Sequence, residues 1–359
     1  MPDPAGAQIQ AAIPRIFVAG QRNQSLETEL QALVIRESVD GLYRAEATFG
    51  NWNYNSSRRE AGFLYFDRQT LDFGKQFEIK LEDEGIFDGR IMGLESHFPA
   101  GQAATITVLA EDRFQDLRMT RRTRSFPDST DSAAFNQIAG DYGLTPSISL
   151  SGPTHKVLAQ VNQSDLAFMR ERARSLDAEL WMTGSTLNVK SRANRNGTTL
   201  ELTYGSELQE FNVLADLARQ RTSVSVNGWD VAAKRGLTYE ATDTLITGEL
   251  NGDTSGVSIL QQSLGARKEA LAHAVPLTSA EAQSAAESYF KMSARRFCVG
   301  RGLAGKNAKL RVGNFVNLKG LGPLFSGKYY LAEVMHLFDL AKGFRTEFTA
   351  ERVGIGRAQ

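Results

Sequence analysis

The chain has 359 residues, 42% hydrophobic and 23% charged, an ordinary globular composition long enough for two or three domains. Lys and Arg balance Asp and Glu at 41 each, which argues against the basic surface that general nucleic-acid or anionic-membrane binding requires. The single cysteine, Cys298, excludes a disulfide framework and fits a reducing compartment, and no apolar run is long enough to predict direct membrane insertion.

Residues 1–14 hold three prolines and no apolar signal core, and read as a flexible N-terminal arm. The absence of that core predicts synthesis in the cytoplasm without a signal peptide. From Arg15 to Asp112 the pattern is β. Tyr43, Ala45, Ala47 and Phe49 share one face of a strand, and Arg44, Glu46 and Thr48 share the other. Short strands follow at 73–81, 89–98 and 104–112, a spacing that predicts a small barrel or sandwich.

The period then changes. Phe135, Ile138, Ala139 and Tyr142 fall on one helical stripe, with Asp and Ser before them and Gly143 after. A second helix starts at Ser164-Asp165, turns Leu166, Met169 and Ala173 inward and runs to about Leu176. ELWMTGSTLNVK (179–190) reads as a hairpin about Gly184-Ser185. Residues 113–197 therefore form an α+β insert. β patterning returns from Thr198. The Gly/Thr/Asp-rich stretch 240–277 has weak periodicity and predicts a mobile excursion. TSAE at 278–281 is a capping box for a helix to about Met292, and Lys309 to Arg352 is β again.

Two stretches near opposite ends resemble each other. GIFDGRIMGLESHF (85–98) and PLFSGKYYLAEVMHLF (323–338) share a Phe-x-Gly start, a His eight or nine residues later and a Phe soon after. Gly74 to Glu111 spans 37 positions and Gly313 to Glu351 spans 38. A duplication implies two similar small β-barrels, in 15–112 and in 198–359. Closed homo-oligomers are favoured, so a trimer of such a chain would present six similar units as a pseudo-sixfold ring.

Chemistry is sparse. His97, His155, His273 and His336 are scattered without metal-ligand spacing, so neither a metal nor another cofactor is expected. RRFCVGRG around Cys298 gives no nucleophile setting, and a buried small hydrophobe explains it better. EDEGIFD (82–88) reads as a solvated turn. Residues 113–195 carry 12 Lys and Arg against 8 Asp and Glu. Arg121, Arg122, Arg124, Arg170, Arg172 and Arg174 form either solvated helix faces or a basic face for an acidic partner protein.

The motifs FDGRI (87–91), AEDRFQDLRMTRRTRSF (110–126), QVNQSDLAFMRERARSLDAELW (160–181), VNGWD (226–230), GNFVNLKGLGPLFSGKYYLAEVMHLF (313–338) and GFRTEFTAERV (343–353) cover most of the chain. In this order they resemble the phage late control protein D family, which includes contractile-tail baseplate hubs. The hub half of type VI valine-glycine repeat spike proteins is related. The resemblance implies a non-enzymatic, homotrimeric structural hub that adapts a threefold spike to a sixfold inner tube and contacts baseplate proteins. The parent particle would be a phage tail, a tailocin or a contractile injection system.

The sequence ends at VGIGRAQ without the needle of the type VI spikes, which points to a separate spike protein. Carried over residue by residue, Ser164 caps the insert helix and Asp165 favours its N-terminus. Gly89 and Gly327 serve turns, and Trp229 is a core or interface anchor. The competing reading is a peptidoglycan-acting tail protein, a hydrolase or glycan binder, which needs a cleft with convergent carboxylates.

Overall fold

The computed structural model describes residues 13–55, 60–230, 233–272 and 276–356. Apart from Ile13 and Pro14, the expected N-terminal arm lies outside the described residues, as does His273.

The first β unit rests on alternation. β1 (Leu30–Ser38) turns Leu33, Ile35 and Glu37 inward, and β2 (Arg44–Gly50) buries Ala45, Ala47 and Phe49 while Arg44 stays exposed. β3 (Gln76–Leu81), β4 (Glu84–His97) and β5 (Thr105–Glu111) complete an antiparallel set in the order β1-β2-β5-β4-β3. Its core includes Ile16, Leu26, Phe49, Phe77, Ile91 and Val108. Burying each such side chain contributes roughly 1.5–3 kcal/mol.

The insert follows the predicted periods. β6 (Arg121–Ser129) leads into α1 (Asp131–Asp141), which is capped by Thr130 and buries Ala134, Phe135, Ile138 and Ala139. β7 (His155–Ser164) pairs with β6 and ends at the cap of α2 (Asp165–Arg174). β8 (Ala178–Thr183) and β9 (Thr186–Ser191) form the expected hairpin, with Gly184 at φ +57°. Phe126 stacks on Phe168 at 5.7 Å within this separate core.

The second half opens with β10 (Leu208–Ala215) and is then interrupted. β11 (Ser223–Asp230), β12 (Arg235–Thr242), α3 (Gly256–Leu264) and α4 (Ser279–Arg295) enclose a core of their own around Val224, Val226, Ala241 and Phe290. The stretch 240–277, expected as a mobile excursion, carries regular elements in its described part. It holds a 3₁₀ segment over Asp243–Glu249, and α3, with Ile246, Val257 and Leu260 buried. Val257 and Leu260 fall at helical spacing, but a single such pair within a Gly-, Thr- and Asp-rich stretch is too short to register as periodicity. β13 (Cys298–Ala304), β14 (Phe315–Lys319), β15 (Gly327–Asp339) and β16 (Gly343–Arg352) then complete the order β10-β13-β16-β15-β14.

The two five-strand sets match in order and in register. Arg44 faces Glu111 as Val299 faces Glu351. Met92 is bulged out between Ile91 and Gly93, and Ala332 between Leu331 and Glu333. Gln31 and Gln209 are bulged at the start of β1 and β10. Gly74, at φ +77°, donates its N–H to the Ile91 carbonyl at 2.8 Å, and Gly313, at φ +91°, donates to Leu331 at 3.0 Å. The inner landmarks of the sequence comparison are not equivalent, however. Gly89 occupies the place of Tyr329, opposite Phe77 and Val316 respectively, and His336 occupies that of Ser96.

The expectation of two separate barrels needs correction. No sheet among the described residues closes into a barrel. β15 takes β14 along Gly327–Tyr330 and, on the same edge, β1 along Glu333–Asp339. The two units therefore run together as one 13-stranded sheet. Phe338 and Phe344 of the second unit enter the core of the first. A strand long enough to serve two partners along one edge leaves no reason for either unit to close on itself.

Candidate functional site

The insert is held by buried ion clusters rather than by isolated caps. Ser164 does cap α2, its Oγ accepting from the Ala167 N–H at 3.2 Å. Asp165 does more than favour the helix dipole. Its carboxylate is fully buried and accepts from Arg124 at 2.6 Å, Tyr142 at 2.7 Å, Gln160 at 2.9 Å and Arg122 at 3.2 Å. The cluster ties β6, β7 and the ends of α1 and α2 together.

All six arginines expected as a basic face make bonds within the chain. Arg121 donates to the Asn162 carbonyl and Arg170 to the carbonyls of Asp40 and Gly41. Arg172 grips Asp131 at 2.6 Å, and Arg174 meets Asp40 at 2.6 Å. Thus Arg170 and Arg174 dock α2 onto the turn between β1 and β2. Gly327, at φ +136°, starts β15 where a Cβ would press on the Arg352 guanidinium. Gly89 is not in a turn but inside β4, where a Cβ would fall on the Glu111 carbonyl. Trp229 is 56% exposed near the end of β11, so it is not a core residue.

Sequence reasoning missed the network that joins insert to sheet. Glu179 on β8 accepts from Arg195 at 2.8 Å, from Arg192 at 3.3 Å and from the Tyr330 hydroxyl. Arg192 also reaches Glu351 at 2.9 Å and lies over the Tyr330 ring at 3.9 Å. Arg195 bonds the Tyr43 hydroxyl and the Val312 carbonyl. Burial pushes the Tyr43 hydroxyl up to about 12 and the Asp112 carboxyl up to about 7. The partners lie up to 159 positions apart, so no local pattern could have marked them.

The buried carboxylates Asp131, Asp165 and Glu179 are each neutralised by arginine, which disfavours a role in acid–base cleavage of a glycan. Glu82 and Asp83 sit in the exposed β3–β4 turn, and Asp83 pairs with Arg15. No group of His, Cys, Asp and Glu among the described residues could hold a metal ion. Cys298 is buried, and desolvation raises its thiol pKa.

Two histidines are set oppositely. His155 sits 2.6 Å from Glu281 of α4 and 3.3 Å from Asp131, and its pKa is raised chiefly by the Asp131 hydrogen bond. His336 is fully buried, donates or accepts only with Thr346 at 3.0 Å, and is lowered to about 3 by desolvation.

Two surfaces remain. A shallow depression of about 1080 Å³ lies over the sheet where the two units meet, lined by Arg36, Arg44, Arg301, Glu210, Glu333 and Glu347. At the far end of β4, Trp52, Phe63, Phe66 and Phe98 cluster at 4.7–6.1 Å and are 36–63% exposed. A patch of this kind is rare on a surface without a partner.

The fold defined by these units is that of phage tail proteins. The prophage MuSo2 43 kDa tail protein from Shewanella oneidensis superposes with a TM-score of 0.70 at 11% identity, covering 95% of this chain and 98% of that one. A tail protein from Neisseria meningitidis MC58 gives 0.68 at 12%, covering 96% and 97%. An E. coli component of the type VI secretion system, described as structurally similar to T4 bacteriophage tail proteins gp27 and gp5, gives 0.58 at 12%, covering 96% and 79%. A search of curated proteins finds no match. The chain belongs to the Alg8 N-terminal domain family, whose model matches residues 12–339.

Proposed function

We propose that the protein is the structural hub of a contractile-tail or injection-system baseplate, a homotrimer that adapts a threefold spike to a sixfold tube. The observation that carries this reading is the five-strand repeat, matched in order, register and bulges within one chain. Three such chains around an axis supply six near-equivalent units, which is what joining threefold to sixfold symmetry requires. The likeness to phage tail proteins and to a type VI component supports the same role. Its partners would be a separate spike protein, an inner tube protein and baseplate neighbours, met on the assembled particle after cytoplasmic synthesis.

The subclass that fits is the late control protein D type. The polar depression over the sheet would line a channel, and the exposed aromatic patch and Trp229 would be covered on assembly. The hub would act mechanically, by geometry. Light scattering on the purified chain tests the reading. A mass of about 118 kDa, three times the 39.4 kDa chain, is expected, and a single-chain mass at every concentration contradicts it.

A further inference from the structure

The junction between the two units inside the chain has an unfilled counterpart at each end of the sheet. β4 corresponds to β15, and it pairs with β3 over Glu84–Arg90 just as β15 pairs with β14. Beyond that point β15 pairs with β1, but the same edge of β4, over Gly93–His97, has no partner among the described residues. β10 corresponds to β1. Its inner edge pairs with β13, and beyond a single bridge from Tyr204 to Leu208 its outer edge, over Phe211–Ala215, is likewise free among the described residues.

Burial marks the same two edges. At the filled junction Val334, His336 and Phe338 of β15 and Leu33, Ile35 and Glu37 of β1 are all at most 3% exposed. Their counterparts are Leu94, Ser96 and Phe98, and Phe211, Val213 and Ala215. None of these six is buried, and Phe98 is 63% exposed. Leu94 packs on the core of the first unit and Phe211, Val213 and Ala215 on that of the second, yet the cover that the filled junction supplies is missing. Open strand edges beside exposed apolar residues are a pairing template, which folded proteins cover or disrupt.

We infer that β10 of one chain adds to the free edge of β4 in a second copy of this chain, reproducing between chains the pairing that β1 and β15 make within one. The register carries over from the filled junction. Leu94 faces Ala215, Glu95 faces Leu214, Ser96 faces Val213, His97 faces Asn212 and Phe98 faces Phe211. Phe98 then enters the core of the neighbour's second unit, as Phe338 enters the core of the first unit within the chain. Each chain offers one edge of each kind, so the contact is head-to-tail and propagates in one direction until it closes. The number of chains at closure rests on the hub reading; the pairing itself rests on the repeat.

Cysteine cross-linking of the full chain tests it. The E95C/L214C double variant places cysteines at facing, exposed positions, whose Cα separation in a paired strand falls within disulfide range. E95C/N212C displaces one cysteine by two residues along the edge. Under mild oxidation the first variant should convert to interchain species that end at three chains, and the second should stay uncross-linked.

A three-chain mass by light scattering with no disulfide in E95C/L214C overturns the strand junction and leaves the hub reading intact. Cross-linked ladders running past three chains keep the junction and overturn the trimer. Single chains by both measurements overturn both. Equal cross-linking of the two variants overturns the register, and with it the claim that the intrachain junction is repeated.

Discussion

Asp165 shows how much one residue can hold. Its fully buried carboxylate is the common acceptor for two arginines, a tyrosine and a glutamine. Removing it in Asp165→Ala leaves Arg124 with only the more exposed Asp141 as counter-charge and strips Gln160 and Tyr142 of their acceptor. Breaking a buried pair costs about 3–5 kcal/mol. Urea denaturation of the purified protein should show a loss of that size, whereas Ser164→Ala, which removes only a cap, should cost about 1 kcal/mol.

The two histidines give opposite pH signatures. His155 has a raised pKa in the folded state, so its contribution is present in full below the unfolded value and fades as pH rises through the folded one. His336 is depressed to about 3, so its burial costs stability as pH falls from about 6.5 towards 3. His155→Gln should flatten the alkaline side of the stability profile, and His336→Gln the acid side. A Tm series against pH reads both. If both variants flatten the same side, the assigned environments are wrong.

At the scale of elements, the strands and helices were legible and their long-range partners were not. The alternation of Tyr43, Ala45, Ala47 and Phe49, the caps at Ser164 and Thr278, and the Gly184 hairpin all appear where local chemistry places them. The capping box shifts by one residue: Glu281 reaches back to the Leu277 N–H, not to that of Thr278. The repeat was legible at Gly74 and Gly313 and at Glu111 and Glu351. It was misaligned between them, because spacing alone cannot say which glycine is a turn and which is a close approach inside a strand. Pairing of β1 with β15 joins residues some 300 positions apart, and no local period encodes such a choice. The ion clusters around Asp165 and Glu179 were invisible for the same reason.

The two equivalent turn glycines should respond differently to alanine. Both have positive φ, which costs a Cβ-bearing residue about 1–2 kcal/mol. At Gly74 the added methyl meets nothing within 4 Å, so Gly74→Ala should lose only that amount. At Gly313 it would collide with the Arg195 guanidinium and disturb the grip on Glu179 and Tyr43. Gly313→Ala should therefore destabilise by clearly more in the same denaturation assay. Equal losses would mean that the Arg195 network contributes little to docking the insert.

At the scale of the whole molecule, the chain is two similar five-strand units fused along one edge, with an α+β body projecting from each half. The sequence repeat is matched by the repeated five-strand order, but as an open sheet rather than two barrels. Sequence reasoning did not anticipate that the units share a continuous sheet, or that a second α+β body interrupts the second unit. The fused sheet gives one chain a complete junction between neighbouring units, and the proposed assembly would repeat it between chains.

The most direct measurement is top-view class averages of the purified protein by electron microscopy. The account predicts a closed threefold ring with six similar lobes around a central channel, alternate lobe boundaries being intrachain and interchain. Rings of another order, or particles in which the two halves of the chain occupy unrelated environments, would contradict it.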